Sequence, residues 1–274
     1  MVLTTCLPLY KEYYVLKVKT CFGIEVCDIL PLLCKYRVVY NQAIRRMTMK
    51  NWACAVALLL TLAGWTCAKV TVTLDVEEIK DDTKLVAWAN QAKELIEQWH
   101  PRLLNFIPTK DFEAPADIKL VFRKGDEGIA WTSGTQITVM SGWITKHPDD
   151  IGLVFHELVH VVQQYKSRIP SWVTEGVADY LRWALYEGKP LSWFPMSNKA
   201  NGYRDSYQVT AGFFLWLETD RCPGIVTKIN TAARKGEFKE TIFTDLTGAS
   251  LDALWADYMA DRKAAKEKSP STEK

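Results

Sequence analysis

Two histidines and a glutamate in the run His156-Glu157-Leu158-Val159-His160 have the residue types and the spacing of a metal site. On a helix, residues four apart lie one turn apart on the same face, so both imidazoles can reach one ion. Imidazole nitrogens are common ligands of zinc. Glu157 would face the open metal position, where a carboxylate can take a proton from attacking water and pass it to a leaving amine. The run therefore predicts a site for one zinc ion with Glu157 as the general base.

The residues around this run favour a metal site over a chance pair of histidines. Apolar side chains occupy most positions of the same helix: Leu153, Val154, Phe155, Leu158, Val159, Val161 and Val162. A helix that is apolar nearly all round is buried. Buried imidazole and carboxylate groups need polar partners, and a metal ion would supply them. The alternative is that His156 and His160 are surface or core residues that happen to be four apart.

A second helical block, Trp172–Tyr180, carries the candidates for a third ligand. Catalytic zinc usually has three protein ligands. Glu175 and Asp179 are four residues apart, so they would share one helix face. Glu175 has the longer side chain and is the better ligand candidate, whereas Asp179 would accept the free ring N–H of a zinc-bound histidine and fix its tautomer. The reverse assignment stays open, as does an ordinary solvated position for Asp179.

Hydrophobic periodicity predicts strands before the motif and helices around and after it. The predicted strands are Val70–Leu74, Ile118–Phe122 and a hairpin of Gly128–Thr132 and Gln136–Met140 joined by Ser133-Gly134-Thr135. The predicted helices are Asp82–His100, which ends before Pro101, then Ile151–Tyr165, Trp172–Tyr186, Ser206–Glu218, Gly224–Ala233 and Leu251–Lys263. This order predicts an α+β domain with a small N-terminal sheet, an active-site helix and a following helical part.

An export signal is predicted at residues 49–68. Met49-Lys50-Asn51 precedes an apolar run, Trp52–Trp65, and then Thr66-Cys67-Ala68. A basic start, a short apolar run and a final small residue are typical of a secretory signal peptide. The apolar run is shorter than the roughly 20 residues that a membrane span needs. We expect cleavage after Ala68 and a secreted or periplasmic protein, with a lipid anchor on Cys67 as the alternative.

The predicted signal peptide has 48 residues before it, although such signals stand at the N-terminus. The simplest interpretation is a start codon assigned too early, with initiation at Met47 or Met49. The alternative is a cytoplasmic extension before a membrane anchor. The folded domain is expected at residues 69–262, active once exported, with a disordered tail at 263–274.

Net charge and cysteine placement exclude two classes of protein. A net charge of +2 is too small to indicate nucleic-acid binding. Cys222 is the one cysteine of the seven that lies beyond Cys67, so the predicted domain cannot form an intramolecular disulfide. We expect a monomer that acts on a peptide or protein and that stays out of the membrane after signal cleavage.

Two sequence blocks carry a family resemblance. HELVH followed by WVTEGVADY resembles the gluzincin peptidases, including relatives of aminopeptidase N, in which a helix of the type W-x-x-E-G-x-A-x-Y supplies the third ligand. The interval from His160 to Glu175 is shorter here than in those aminopeptidases, and no GAMEN-type signature occurs in this sequence. These two differences argue against aminopeptidase activity, and the sequence leaves endopeptidase and exopeptidase action both open.

A longer resemblance joins the chain to the basic secretory proteins of plants and bacteria. The similar runs are GIAWTSGTQITVMSGWI, HELVHVVQQY, WVTEGVADYLRW and YRDSYQVTAGFFLWLE. They spread over most of residues 70–262. The resemblance implies a zincin-like metallopeptidase domain, with His156, His160 and Glu175 as zinc ligands and Glu157 as base.

The hairpin and two tyrosines complete the predicted site. Zincins present an edge strand above the active-site helix, and Ala130, Trp131 and Thr132 occupy that place in the sequence; a peptide could add to this strand through backbone hydrogen bonds. A purely structural hairpin is the alternative. Tyr207 is the favoured candidate to stabilise the oxyanion, and Tyr203 is the second.

Several other polar and aromatic residues receive no catalytic part. Of the two remaining histidines, His147 is expected at the surface. Gln163 and Gln164 are expected at most to cap backbone groups. The tryptophans near the motif could line a cleft, but core packing is the default expectation: Trp131, Trp143, Trp183 and Trp193.

Together these patterns predict an exported zinc metallopeptidase. A secreted zinc-containing binding or defence protein with little turnover is one alternative, and a zinc amidase acting on a cell-wall polymer is another. The presence of Glu157 argues against the first alternative, because a purely structural zinc site gains nothing from a free carboxylate beside the metal.

Overall fold

The computed structural model describes residues 70–166 and 168–268, which belong to one compact unit beginning at Thr66. The predicted signal peptide and the 48 residues before it lie outside this part of the chain. The described residues form a small four-stranded sheet and a mostly helical remainder. This confirms the predicted α+β class.

The sheet contains strands β1 (Thr71–Asp75), β2 (Asp117–Arg123), β3 (Ala130–Ser133) and β4 (Gln136–Met140) in the order β1-β2-β4-β3. β1, β2 and β4 are parallel, and β3 pairs with β4 in the antiparallel direction. The predicted hairpin is therefore confirmed, although β3 begins two residues later than expected. This arrangement leaves β3 at the edge of the sheet.

Helix α1 (Thr83–Phe106) connects β1 to β2 and packs against β1. The Asp82 side chain caps its start by accepting hydrogen bonds from the backbone N–H groups of Lys84 and Leu85. The predicted end before Pro101 was wrong, since the helix continues through the proline. A helical proline loses one backbone hydrogen bond. Full burial of Leu103 and Ile107 beyond it offsets that loss.

Seven further α-helices follow the sheet within the described residues. They are α2 (Ser141–Lys146), α3 (Gly152–Gln163), α4 (Ser171–Asp179), α5 (Tyr207–Trp216), α6 (Ile225–Lys235), α7 (Thr241–Thr247) and α8 (Leu251–Lys268). The short helices α2 and α7 were not predicted. π-helical turns extend α4 over Tyr180–Tyr186 and α5 over Leu217–Arg221. Helix α8 reaches Lys268, so residues 263–268 are helical and the tail predicted from 263 was placed too early.

Helix α3 is central among the described elements and packs against α1, β3, β4 and α4. It ends at Gln163 because Gln164 adopts a left-handed conformation with φ of 43°. Helix α4 in turn packs closely on α5, where Gly176 faces Thr210 and Phe214. Among the described helices, none combines the length and the apolar character that a bilayer span requires. The fold thus brings α3, α4, α5 and the edge strand β3 together around one region.

Candidate metal centre and cleft

The polar residues of α3 lie in an otherwise apolar, buried helix. His156 and Glu157 are 8% and 7% exposed, and His160 is only partly accessible. Buried polar groups of this kind are stable only when they have hydrogen-bond or metal partners. The neighbouring elements α4 and β3 supply those partners.

One ligand atom from each of His156, His160 and Glu175 converges on a common point. The three atoms lie within 4.8 Å of one another. His156 Nε2 is 3.0 Å from His160 Nε2 and 3.2 Å from Glu175 Oε2, and His160 Nε2 is 3.4 Å from Glu175 Oε2. The spacing of four residues on α3 and the packing of α4 against it together produce this cluster.

The far side of each imidazole ring faces a hydrogen-bond acceptor. His156 Nδ1 is 2.7 Å from Asp179 Oδ1, and His160 Nδ1 is 2.8 Å from Gln163 Oε1. The Gln163 amide donates through Nε2 to the backbone oxygen of Thr174 at 2.9 Å, which fixes Oε1 as the acceptor. From this hydrogen-bond network we assign the ring proton to Nδ1 in both histidines.

This assignment turns the inner side of the cluster into a set of acceptors. With protons on Nδ1, the two Nε2 atoms present lone pairs toward each other and toward the Glu175 carboxylate. Three acceptors this close together repel one another unless a cation lies between them. Two imidazole nitrogens and one carboxylate oxygen are ligands that zinc takes in proteins. The residues present therefore fit a zinc ion.

The electrostatics of the metal-free cluster also favour a cation. Burial disfavours the imidazolium of His156, but the hydrogen bonds to Asp179 and then Glu175 outweigh it and raise the His156 pKa to about 9. Burial alone would raise the pKa of Glu175, yet the hydrogen bonds from His156 and His160 lower it to about 2. The additional proton of the His156 imidazolium lies on Nε2, the atom that would otherwise face a metal ion.

Glu157 is held by the edge strand. Thr132 Oγ1 lies 2.7 Å from Glu157 Oε2 and 3.0 Å from the Glu157 backbone oxygen. Thr132 belongs to β3, so this contact joins the strand to the motif helix. The carboxylate faces the same cleft as the three clustered ligand atoms. Its position suits a general base.

Tyr207 covers the cluster from the side of α5. Its ring lies 6.3 Å from that of His156 with an interplanar angle of 24°, and it is 55% exposed. The negative charge of Glu175, followed by partial burial, raises the Tyr207 pKa, so the phenol keeps its proton. Ser206 and Tyr207 both have positive φ, at 62° and 49°, a strained pair of a kind that occurs at functional sites.

The cluster opens into a cleft of about 1190 Å³. Its walls are β3 with its turn, the exposed side of α3, the start of α4 and the segment Ser206–Val209. Within the described residues, this cleft is where the predicted ligands, the predicted base and Tyr207 meet. The arrangement can hold a cation, position a water beside Glu157 and present an extended wall to a ligand.

The comparisons with known proteins assign the chain to a family. The model of the family BSP, described as "Peptidase of plants and bacteria", matches residues 84–258. The chain belongs to this family. The predicted relationship to the basic secretory proteins is thereby confirmed. No curated protein and no solved structure matches the chain.

The range that matches the BSP model includes every predicted site residue, from the edge strand to Tyr207. Strand β1 and the last helical turns of α8 lie outside it. The family description identifies its members as peptidases. In this BSP chain the described residues bring the three predicted ligands, Glu157, Asp179, Thr132 and Tyr207 into one site.

The second tyrosine candidate lies elsewhere in this BSP domain. Tyr203 is 4% exposed, and its hydroxyl lies 2.8 Å from Asp252 Oδ1. Its ring packs against Trp172 and Trp255 in the helical core. Of the two tyrosines, Tyr207 therefore lines the cleft and Tyr203 does not.

The default expectation of core packing was wrong for Trp131 and Trp193, which are exposed. Trp143 and Trp183 pack against the core and also line the cleft, as Trp131 does, and Trp193 lies against Trp183 with ring centroids 4.6 Å apart. Trp131 is 46% exposed on β3. Sequence patterning gives the composition of a wall but not its side, and these rings face the site because β3 and the segment after α4 border it.

Gln163 is the site residue whose role the sequence did not reveal. The contact with His160 spans three positions on one helix, which is a distance that side chains can bridge. Its second contact, to Thr174, depends on the packing of α4, and no sequence pattern indicates that. The remaining histidines stay outside the cleft: His147 is exposed beside Trp143, and His100 is buried at 2.8 Å from the Pro115 backbone oxygen.

Proposed function

We propose that this BSP protein is an exported zinc metallopeptidase with a zincin-like site. The observation that carries the proposal is the convergence of three acceptor atoms, from buried His156 and partly buried His160 and Glu175, beside the Glu157 carboxylate in an open cleft. His156, His160 and Glu175 would hold the zinc ion, and Glu157 would act as general base. Membership of a family of peptidases supports hydrolysis of peptide bonds.

The hydrogen bonds favour Glu175 over Asp179 as the third ligand. Asp179 Oδ1 contacts His156 on the ring nitrogen that points away from the cluster. Glu175 Oε2 contacts the inner nitrogen of both histidines. Asp179 would thus orient His156 and raise its basicity, a common arrangement at zinc sites.

Zinc, when bound, would polarise the peptide carbonyl and lower the pKa of the attacking water. Glu157 takes the proton from that water and later delivers it to the leaving amine. The Thr132 hydroxyl holds one carboxylate oxygen of Glu157 and leaves the other for this transfer. Tyr207, whose phenol keeps its proton, would donate a hydrogen bond to the oxyanion.

The edge strand supports an extended peptide as substrate. The Ile129 backbone oxygen accepts from the Met140 N–H, so odd-numbered residues of this strand point their backbone groups toward β4. The N–H and C=O groups of Ala130 and Thr132 consequently point away from the sheet. A peptide chain can pair with them in sequence-independent hydrogen bonds, as in other edge-strand complexes. Trp131 would flank such a peptide.

We also propose that the protein is exported and that it is a monomer. The predicted signal peptide at 49–68 and the relationship to basic secretory proteins support a secreted or periplasmic location. We expect the predicted mature chain, residues 69–274, to be active without further processing.

The test is hydrolysis of unfolded casein by residues 69–274, beside Glu157→Gln and a chelated sample. The substitution keeps the side-chain shape and the ligands but removes the base, so it separates chemistry from folding. We expect turnover in the wild type, none in either control, and one zinc ion per chain in both wild type and variant. Absence of turnover with zinc bound stoichiometrically would instead favour the binding or defence protein. Release of cell-wall fragments without casein cleavage would favour the amidase.

A further inference from the structure

The cleft continues past His156 toward the start of α3, where its lining becomes apolar. Trp143, Leu153, Trp183 and Pro195 line this end together with Asp150 and Arg182, and we call the four apolar residues the aromatic pocket. Leu153 precedes His156 by three residues on the same helix, a rise of about 4.5 Å. An extended peptide advances about 3.3 Å per residue. The aromatic pocket is therefore within reach of a side chain one or two residues from the bond that would be cleaved.

The charged groups beside the aromatic pocket are already paired. Arg182 forms ion pairs with Asp150 and with Glu187, the latter at 3.1 Å. The second Asp150 oxygen accepts from Trp143 Nε1 at 2.9 Å. Lys189 lies 3.8 Å from the free oxygen of Glu187. Because each charge has a partner within the protein, the pocket offers no free charge to a ligand.

The aromatic pocket is also held in place from behind. The Arg182 guanidinium lies 3.9 Å above the Trp183 ring, and the Trp193 ring packs against the same tryptophan at a tilt of 31°. Gly152 lets this assembly pack directly on the first turn of α3, since a Cβ there would overlap Glu187 Oε1. A wall supported on several sides can bind a ligand without first becoming ordered.

Exposed large apolar side chains border the cleft as a whole. Among the described residues, those that stand out are Ile129, Trp131, Trp193 and Tyr207. Three of them line the cleft, and Trp193 supports the aromatic pocket from behind. Clustered exposed apolar surface marks binding sites on soluble proteins.

We propose that the aromatic pocket binds a large uncharged side chain, such as that of Phe, Leu or Trp, next to the bond that is cleaved. The preferred substrates are then extended or unfolded protein segments with bulky apolar residues. This inference rests on the proposed peptidase function, but it adds a specificity that the metal site alone does not supply.

Cleavage-site mapping on a mixture of random-sequence peptides tests the proposal, with wild type compared with Trp183→Ala and Trp183→Phe. We expect one position adjacent to the cleaved bond to be enriched about tenfold in Phe, Leu and Trp over Asp and Lys. The alanine variant should lose most of this enrichment through a higher KM, and the phenylalanine variant should retain most of it. Trp131→Ala is the matched control, because this tryptophan lines the strand side and its loss should weaken all peptides equally.

Two results would overturn the proposal. The first is wild-type cleavage without apolar enrichment next to the cut bond, which leaves the peptidase function standing. The second is equal affinity of the Glu157→Gln protein for two hexapeptides that carry Phe or Asp at the central position. This binding measurement needs no turnover. About tenfold tighter binding of the Phe peptide, lost in Glu157→Gln/Trp183→Ala, supports the pocket even if no protein is hydrolysed. Equal affinity rejects it.

Discussion

Thr132 on the edge strand and Glu157 on the motif helix are joined through one hydroxyl, with Thr132 Oγ1 2.7 Å from Glu157 Oε2. The same hydroxyl lies 3.0 Å from the Glu157 backbone oxygen, so it lies against both the helix and the carboxylate. The strand that would bind the peptide thus also orients the proposed base.

Replacing Thr132 should reduce turnover more than substrate binding. Thr132→Val keeps the shape and removes the hydroxyl, so Glu157 loses its orienting donor and kcat should fall about tenfold or more. KM should change by less than about twofold, because the backbone groups of the strand remain. Thr132→Ser restores the hydroxyl and should recover most of kcat. Steady-state kinetics on one peptide would decide, and a rise in KM alone would contradict the orienting role.

Gln163 should set the metal affinity through His160. Gln163→Leu removes the acceptor for His160 Nδ1 and the link to Thr174, so the zinc dissociation constant should rise about 10–100-fold. Gln164→Asn is the matched control. Gln164 contacts the Val161 backbone oxygen and none of the three ligands, and asparagine tolerates its left-handed backbone. Competition with a chelating indicator measures the zinc dissociation constants of both variants. Equal affinities in the two variants would show that the Gln163 contact is incidental.

The two acidic residues of α4 should differ in their effect on zinc. Glu175→Gln replaces the charged carboxylate that faces both inner nitrogens with a neutral amide and should weaken zinc binding more than Asp179→Asn does. The asparagine variant loses the charged acceptor of His156, so its zinc dissociation constant should rise about 10–100-fold. The reverse order of affinities would make Asp179 the ligand.

The candidate ligands were predictable because their spacing within each helix is local. His156, His160, Glu175 and Asp179 are each placed by a spacing of four on a helix, and both helices are identifiable from their apolar residues. What joins the two helices is not local. Gln163 reaches Thr174 only after α4 has packed against α3, and Thr132 reaches Glu157 only after β3 has become the edge strand.

Element ends were the least predictable part of the fold. Proline statistics end α1 before Pro101, but burial of Leu103 and Ile107 extends it. The block Trp172–Tyr186 looks like one helix in sequence, yet it changes to a π-helical turn after Asp179. Such turns insert a residue into the helix and often occur at functional sites. Tertiary packing determines both the end of α1 and the change to a π-helical turn. Local sequence propensity does not contain this information.

The free energy of unfolding should decrease as the pH is lowered, because His100 is buried. Burial, opposed by the hydrogen bond to the Pro115 oxygen, lowers the pKa of His100 below its usual value near 6.5. The folded state therefore favours the neutral ring, and below about pH 6.5 the unfolded chain binds more protons than the folded one. The His100 contribution is present above that pH and is lost as pH falls through the lower folded pKa.

Denaturant unfolding from pH 7.5 to 5 checks this expectation. The slope for one proton cannot exceed about 1.4 kcal/mol per pH unit. His100→Gln keeps a donor for the Pro115 oxygen but does not titrate, so its unfolding free energy should fall less steeply than that of the wild type. Parallel curves for the two proteins would exclude His100 as the source of the acid sensitivity.

Gly176, directly after the proposed ligand Glu175, should couple helix packing to the metal site. A Cβ at position 176 would overlap Thr210 Cγ2 and come within 3.1 Å of Phe214 Cε2. Alanine is the better helix former by roughly 0.5–1 kcal/mol, but the overlap forces α4 away from α5 and overpacking costs about 1–3 kcal/mol. Gly176→Ala should therefore lower the unfolding free energy and, because Glu175 moves with the helix, also weaken zinc binding. Adding Thr210→Ser removes Cγ2 and keeps the hydroxyl that donates to the Tyr203 backbone oxygen, so the double variant should recover part of both losses. Reduced stability with unchanged zinc affinity would show that α5 supports the fold without positioning Glu175.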